Sequence, residues 1–143
     1  MIIKSVTGKK ILDSRKEKTI SVTIDTNIGK FSASAPNGES KGKHEEKAYM
    51  KGIEGDIKAI KSLSEYFSKE EIEEFGDLKK IEEITERQIG ANSLFALEAS
   101  VLKAIAKEKK KAVWQIINPQ TKNTPRLVGN CVEGGMQIGR AHV

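Results

Sequence analysis

Ile20, Val22 and Ile24 alternate with Thr19, Ser21, Thr23 and Asp25, the two-residue period of a half-buried strand. Phe31, Ala33 and Ala35 repeat that period after TNIGK, where Asn27 and Gly29 are expected to supply the positive-φ positions of a hairpin turn. Upstream, MIIKSVTGKKILDSR sets Ile2, Ile3, Val6, Ile11 and Leu12 among β-branched neighbours and predicts a first strand. The three strands make an antiparallel meander. From His44 the period becomes helical. Asp56 is placed to cap a segment whose Ile57, Ile60, Leu63 and Phe67 share one face, and Ser68 with Glu71 has the spacing of a capping box ahead of Ile72 and Phe75. Gly76 separates a further helical stretch carrying Leu78, Ile81 and Ile84. After GAN, with Asn92 as the expected N-cap, Leu94, Leu97, Val101, Leu102 and Ile105 form the stripe of the strongest helix, and Ala at 91, 96, 99, 104 and 106 permits close packing. NPQTKNTP, residues 118–125, is a loop by composition, and RLVGNCVEGG predicts a new strand outside the helical layer. There is no internal repeat. The fold class is α+β: a three-stranded antiparallel meander followed by a helical layer.

A chain of 143 residues with 37% hydrophobic content suits one modest core. The net charge of +5 is spread thinly, with 25 basic residues interleaved among 20 acidic ones. Only KEKKK, residues 107–111, forms a basic cluster; it lacks aromatic interleaving and suits the solvated end of a helix, so no nucleic-acid partner is expected. The single cysteine, Cys131, rules out an internal disulfide framework and fits a reducing compartment, where it is expected to be a buried strand residue. No apolar run approaches membrane-spanning length and MIIKSVTGKK lacks a secretory core, so the protein is expected to be soluble and cytoplasmic, with no membrane partner.

APNGESKGKHEE, residues 35–46, admits three readings: a phosphate cradle, a metal-ligating lid, or a solvated connector. The cradle fails on spacing. A P-loop needs four residues between its glycines and Ser or Thr after the Lys, whereas three separate Gly38 from Gly42 and His44 follows Lys43. On composition alone the connector is the simplest reading, because Gly, Asn, Pro and Ser gather in loops generally.

ILDSR, APNGESKGKHE, IGANSLFALEASVLKA and VGNCVEGG, in this order from Ile11 to Gly135, resemble the enolase amino-terminal domain, whose motifs run DSRGNPT, PSGASTGxHE, LGANAILGVSLA and NVINGGSH. The similarity is to a divergent, archaeal-type member. It implies an amino-terminal domain over 1–124 and the first strand of a carboxy-terminal barrel over 125–136, with the chain stopping before the rest of the barrel. It implies that Asn37, Gly38, Glu39, Ser40, Lys41 and Gly42 form a substrate lid, with Ser40 giving a hydroxyl and a main-chain carbonyl to a second Mg²⁺. The implied reaction is the dehydration of 2-phosphoglycerate to phosphoenolpyruvate, carried out by a homodimer. Charge on the aci-carboxylate intermediate calls for metal compensation, a requirement for which the handling of ene-diolates by this superfamily is a standard example. Gly38 and Gly42 would serve as swivels and Pro36 as the strand anchor. No catalytic residue is expected within these 143 residues, since the family's metal carboxylates and base lie in the barrel, and the chain alone is expected to be inactive.

The sequence departs from those motifs in places. Glu39 and Lys41 set a carboxylate and an ammonium into the lid; Lys41 suits a phosphate and Glu39 repels one unless it points away. Lys16-Glu17-Lys18 replaces Gly-Asn-Pro, so that turn must be built differently, and Glu133 replaces Asn before Gly134-Gly135. Such changes leave room for a paralogue acting on another acid, or for a noncatalytic capping or interaction domain. Residues 137–143 are expected to be non-native, because IGRAHV is what a sequencing-library adapter encodes when read as ATC GGA AGA GCA CAC GTC; His142 therefore receives no role.

Overall fold

A computed structural model describes residues 1–38 and 42–129. Three strands, β1 (Ile3–Leu12), β2 (Lys18–Thr26) and β3 (Gly29–Ser34), form one antiparallel sheet in the order β1-β2-β3, with Ile11 opposite Thr19, Val22 opposite Ala33 and Ile24 opposite Phe31. The helices follow: α1 (Gly52–Ser62), α2 (Ser64–Phe67), a 3₁₀ turn (Phe75–Asp77), α3 (Leu78–Thr85), α4 (Ala91–Glu108) and α5 (Val113–Ile117). The expected meander and helical layer are both present.

The core lies between one sheet face and the helices. Ile3, Val6, Ile20, Val22 and Ile24 meet Ile60, Phe67, Ile72, Ile81, Leu97, Val101 and Ile105, all fully buried. As the central strand, β2 is covered more completely than its alternation predicts. Thr19 and Ser21 are also buried, and the Thr19 hydroxyl donates to the Ala35 carbonyl at 2.8 Å. Both sheet edges are partly capped. At β1, Ser64 Oγ accepts from the Val6 amide (3.1 Å) and donates to the Val6 carbonyl (3.2 Å); at β3, Lys103 Nζ donates to the Ser32 carbonyl at 2.7 Å.

Local signals went astray in five places. Of the β2–β3 turn residues, Gly29 takes a positive φ (134°) and Asn27 does not; Asn27 instead ties the turn to β1, its Oδ1 accepting from the Ile2 amide at 2.9 Å. Helix does not begin at His44: residues 43–51 are turns and bends, and α1 opens at Gly52. Asp56 therefore lies inside α1 rather than at its cap. Ser68 closes α2 by donating to the Glu65 carbonyl, and no capping box forms with Glu71, whose segment makes an antiparallel bridge to Ile2 while the Ile72 amide donates to the Met1 carbonyl at 3.1 Å. The capping box lies instead at Glu74 and Asp77, around the 3₁₀ turn: Asp77 Oδ2 reaches back to accept from the amides of Glu73 (2.9 Å) and Glu74 (3.1 Å). Those bonds, the Glu73 one first, with Lys80, hold its carboxyl down at about 2. Finally, α4 is N-capped by Gly90, with Asn92 already inside its first turn.

Arg126, Leu127, Val128 and Gly129 form no strand, and Leu127 and Val128 are fully exposed. The rest of the expected strand through Met136, with Cys131, Glu133 and the 137–143 tail, lies outside the described residues.

Candidate functional site

The turn between β1 and β2 is built by one carboxylate. Asp13 Oδ1 accepts from the amides of Arg15 and Glu17, both at 2.9 Å, while the Lys16 amide donates to the Asp13 carbonyl at 3.1 Å. Lys16 consequently takes a left-handed φ of 63°, at the position where the family motif DSRGNPT has Gly. The Glu17 amide above all, with the Arg15 amide and guanidinium and the Asn37 amide, holds the Asp13 carboxyl below its ordinary value, against a desolvation that raises it.

This turn grips the start of the 37–42 loop. Arg15 Nη2 donates to the Asn37 carbonyl at 3.0 Å, and Asn37 Nδ2 donates to the Lys18 carbonyl (3.1 Å) and, at 3.4 Å, to Asp13 Oδ2. From the helical side Asn92 Nδ2 donates to Asn37 Oδ1 at 3.3 Å, with longer approaches of 3.5 Å to the Pro36 carbonyl and the Tyr49 hydroxyl. Tyr49 in turn meets Thr19 Oγ1 at 3.2 Å; since the Thr19 proton is given to Ala35, Tyr49 is the donor. Rather than capping its helix, Asn92 links the first turn of α4 to the loop stem.

On the far side, the Gly42 amide donates to Glu45 Oε1 at 2.9 Å, and the chain then runs across the amino end of α4. The amides of Ala91 and Asn92 donate to the carbonyls of Lys47 (2.9 Å) and Ala48 (3.0 Å), so backbone caps backbone. Asp56, fully buried, completes the joint: Oδ2 accepts from the Gly90 amide and Ser93 Oγ, both at 2.7 Å, and Oδ1 accepts from the amides of Met50 (3.1 Å) and Lys51 (3.3 Å). With the amides of Gly90, Ala91 and Asn92 already bonded, the α4 amino end is poorly placed to take a phosphate, a second reason against the cradle reading.

Gly90 is required by this crossing. A Cβ there would lie 2.4 Å from the Tyr49 Cα and 2.5 Å from the Ala48 carbonyl oxygen, both backbone atoms. Gly90→Ala is expected to cost about 2–3 kcal/mol by overpacking, measured as a drop in the urea midpoint with an unchanged slope. A midpoint within error of the parent would refute the close crossing.

Between these elements lies a cleft of about 420 Å³ lined by Glu17, Lys18, Asn37, Gly38, Glu45, Glu46, Ala48, Tyr49, Ala91 and Asn92. Three carboxylates against one ammonium give its wall a negative balance, better suited to a cation or a cation-bound ligand than to a bare anion. Of the six residues read as the lid, Asn37 and Gly38 line this cleft and Gly42 marks its far stem, while Glu39, Ser40 and Lys41 lie outside the described residues. Among the described residues, no group of three or more His, Cys, Asp or Glu side chains could hold a metal ion. Oxygen ligands such as a serine hydroxyl and carbonyl suit a hard cation, but one residue does not make a site by itself.

Asp13, Arg15, Tyr49 and Asn92 were not evident from the sequence as members of this stem. Asp13, Arg15 and Asn92 do stand inside the motifs ILDSR and IGAN, and the structure brings all three to the stem of the APNGESKGKHE loop.

Comparison with known proteins agrees with this architecture. The family model described as "Enolase, N-terminal domain" matches residues 3–117. Cytosolic enolase 3 of Arabidopsis thaliana is 34% identical over 125 residues, covering 76% of this chain and 26% of that protein. Enolase 1 of Entamoeba histolytica is 27% identical over 99% of this chain and 37% of its own length; the enolase of Methanothermobacter thermautotrophicus is 28% identical over 97% and 35%. The chain thus spans about a quarter to about a third of the length of these curated relatives. A three-stranded meander under a helical layer, with the DSR, PNG and GAN segments meeting at one loop stem, and a family match across most of its length together show that this chain belongs to the enolase family, as its amino-terminal domain.

Proposed function

We propose that this domain is the amino-terminal part of a phosphopyruvate hydratase that interconverts 2-phosphoglycerate and phosphoenolpyruvate plus water. Residues 37–42 would be its substrate lid, and a carboxy-terminal barrel would begin near residue 125. The observation that supports the reading most is the loop stem: Arg15, Asp13 and Asn92 hold Asn37 from two sides, and Glu45 holds Gly42, so a short loop is presented from fixed posts beside a cleft of negative balance. In this reading Ser40 supplies a hydroxyl and a carbonyl oxygen to a second Mg²⁺. When bound, the metal offsets the charge that builds on the carboxylate as the neighbouring proton leaves. The described residues do the positioning, and the remaining ligands and the base come from the barrel. The parent protein is proposed to be a cytoplasmic homodimer, in keeping with the word "Cytosolic" in one relative's name and with the lack, among the described residues, of any helix long and apolar enough to cross a membrane.

Alone, this chain is expected to form no phosphoenolpyruvate from 2-phosphoglycerate and Mg²⁺ above a no-protein control, because one lid ligand cannot replace the metal carboxylates and the base. Joined to the barrel of a relative, it should support turnover. A fusion that folds and binds Mg²⁺ yet leaves 2-phosphoglycerate untouched would overturn the assignment. Glu39 favours one second reading, a paralogue working on a less negatively charged acid; that fusion assayed on unphosphorylated 2-hydroxy acids separates the two.

A further inference from the structure

The two ends of the 37–42 loop are held in different ways. Asn37 is gripped from the β1–β2 turn by Arg15 and Asp13 and from α4 by Asn92, whereas Gly42 is held by Glu45 of its own segment. That segment becomes fixed at the crossing over the amino end of α4, and Tyr49 sits in the middle of the clamp. Before it, the carbonyls of Lys47 and Ala48 take the amides of Ala91 and Asn92; after it, the amides of Met50 and Lys51 donate to Asp56; beside it, Gly90 packs so close that a Cβ would not fit.

From this clamp the Tyr49 side chain, half-buried against the core, reaches β2. Its hydroxyl donates to Thr19 Oγ1 at 3.2 Å, and Thr19 gives its own proton to the Ala35 carbonyl at 2.8 Å, so a directed chain of hydroxyls runs from the clamp to the residue before Pro36. The same oxygen takes a longer approach, 3.5 Å, from Asn92 Nδ2, the group that donates to Asn37 Oδ1 at 3.3 Å. This position calls for one proton to give and one lone pair to offer. A hydroxyl supplies both; an ammonium has no lone pair, a carboxylate has no proton, and a phenylalanine has neither.

We infer that Tyr49 is a positioning residue for the proposed metal-binding loop: through Thr19 and Asn92 its hydroxyl ties the Asn37 end to the clamp that fixes the Gly42 end, and so keeps the two ends in one register. It acts through Asn37 and Gly42, not on the reacting atoms. This role rests on the hydratase reading and on Ser40 as a ligand, because the spacing of the loop ends matters to turnover when a group between them must meet a metal. Tyr49 lies outside all four of the family-like motifs, and its hydroxyl is matched to partners 30 and 43 residues away in the sequence. Removing that hydroxyl leaves the fold intact: Thr19 keeps its bond to Ala35, Asn92 keeps Asn37, and neither donor is orphaned.

The test compares Tyr49→Phe with the parent in two settings. In this chain, the substitution should move the nitrogen-15 side-chain amide resonances of Asn37 and Asn92 while the backbone amides of α3 stay in place, and the melting temperature should stay within about 2 °C. In the fusion to a relative's barrel, the Mg²⁺ concentration that gives half the maximal rate should rise roughly three- to tenfold, as the loss of one ordinary hydrogen bond would give. That factor should exceed the fall in turnover at saturating Mg²⁺, since the loop is misplaced but keeps its proposed ligand. Thr19→Val cuts the same link from the β2 side, so adding Tyr49→Phe to it should raise that concentration by less than about twofold more. Unmoved Asn37 and Asn92 resonances overturn the inference, as does full additivity with Thr19→Val. A parent fusion that turns over 2-phosphoglycerate, with a Tyr49→Phe fusion showing the same Mg²⁺ response, overturns the positioning role alone. A folded parent fusion without turnover overturns the hydratase reading and this role with it. If Tyr49→Phe does not fold, Thr19→Val carries the same expectations for the Asn37 and Asn92 resonances and for the Mg²⁺ response.

Discussion

Asp56→Ala is expected to cost about 4 kcal/mol, roughly a quarter or more of the stability of an ordinary domain. The carboxylate accepts four hydrogen bonds, and two of its donors, the Gly90 amide and the Ser93 hydroxyl, are themselves buried. Alanine leaves both without a partner in a place that water does not reach, and each such donor costs about 1–3 kcal/mol. The donors at Met50 and Lys51 lie nearer the surface and can turn to water, so they add less. Asp56→Asn keeps the volume and one acceptor oxygen but sets an NH₂ group against a donor pair, and should cost about half as much. Urea unfolding of the two variants separates the explanations. Equal losses would mean that Asp56 matters through packing, and a loss under about 1 kcal/mol for alanine would mean that it does not hold the joint at all. The consequence reaches the cleft, because Asp56 fixes the crossing of residues 47–51 over the start of α4, and Tyr49 and Asn92 face the loop stem from that crossing.

Asp56 also shows what a sequence reveals locally and what it conceals. An Asp ahead of Ile57 and Ile60 looks like a helix cap because a cap is a contact within three residues; the contacts that Asp56 makes to Gly90 and Ser93 span 34 and 37 residues. Asn92 misleads in the same way: it sits beside a helix start, but a backbone segment from 47–48 has already satisfied the first amides, which frees its side chain for Asn37. The Ser68–Glu71 box does not form because both Ser68 groups are used in ending α2, its amide on the Ser64 carbonyl and its hydroxyl on the Glu65 carbonyl. The elements that were legible rest on periodicity over many residues, where errors average out: the alternation of β2 and β3 and the stripe of α4 from Leu97 to Ile105. The loop stem was half legible. Asp13, Arg15, Asn37 and Asn92 could be picked out as motif residues, but not as neighbours, because contact between residues 13, 37 and 92 is a property of the fold.

Ser40→Ala, in a protein carrying this domain joined to the proposed barrel, is expected to lower turnover roughly ten- to a thousandfold with little change in stability. The substitution removes the hydroxyl proposed to ligate the second Mg²⁺ and keeps the main-chain carbonyl. It leaves untouched the posts that present the loop: Asn37, held by Arg15 and Asn92, and Gly42, held by Glu45. Because the hydrogen bonds of those posts do not involve the Ser40 side chain, the melting temperature should stay within about 1–2 °C of the parent. Excess Mg²⁺ should restore only part of the rate, because in the proposed reading one of the two Ser40 ligand atoms, the main-chain carbonyl, is kept and the other is lost. Arg15→Ala provides the contrast: it removes the bond to the Asn37 carbonyl and leaves the proposed ligand in place, so it should raise the Mg²⁺ requirement through a misplaced loop without abolishing turnover at saturation. If Ser40→Ala turns over at the parent rate with the parent's Mg²⁺ dependence, residues 37–42 are a solvated connector after all, and the posts at Asn37 and Gly42 serve only to close a surface turn.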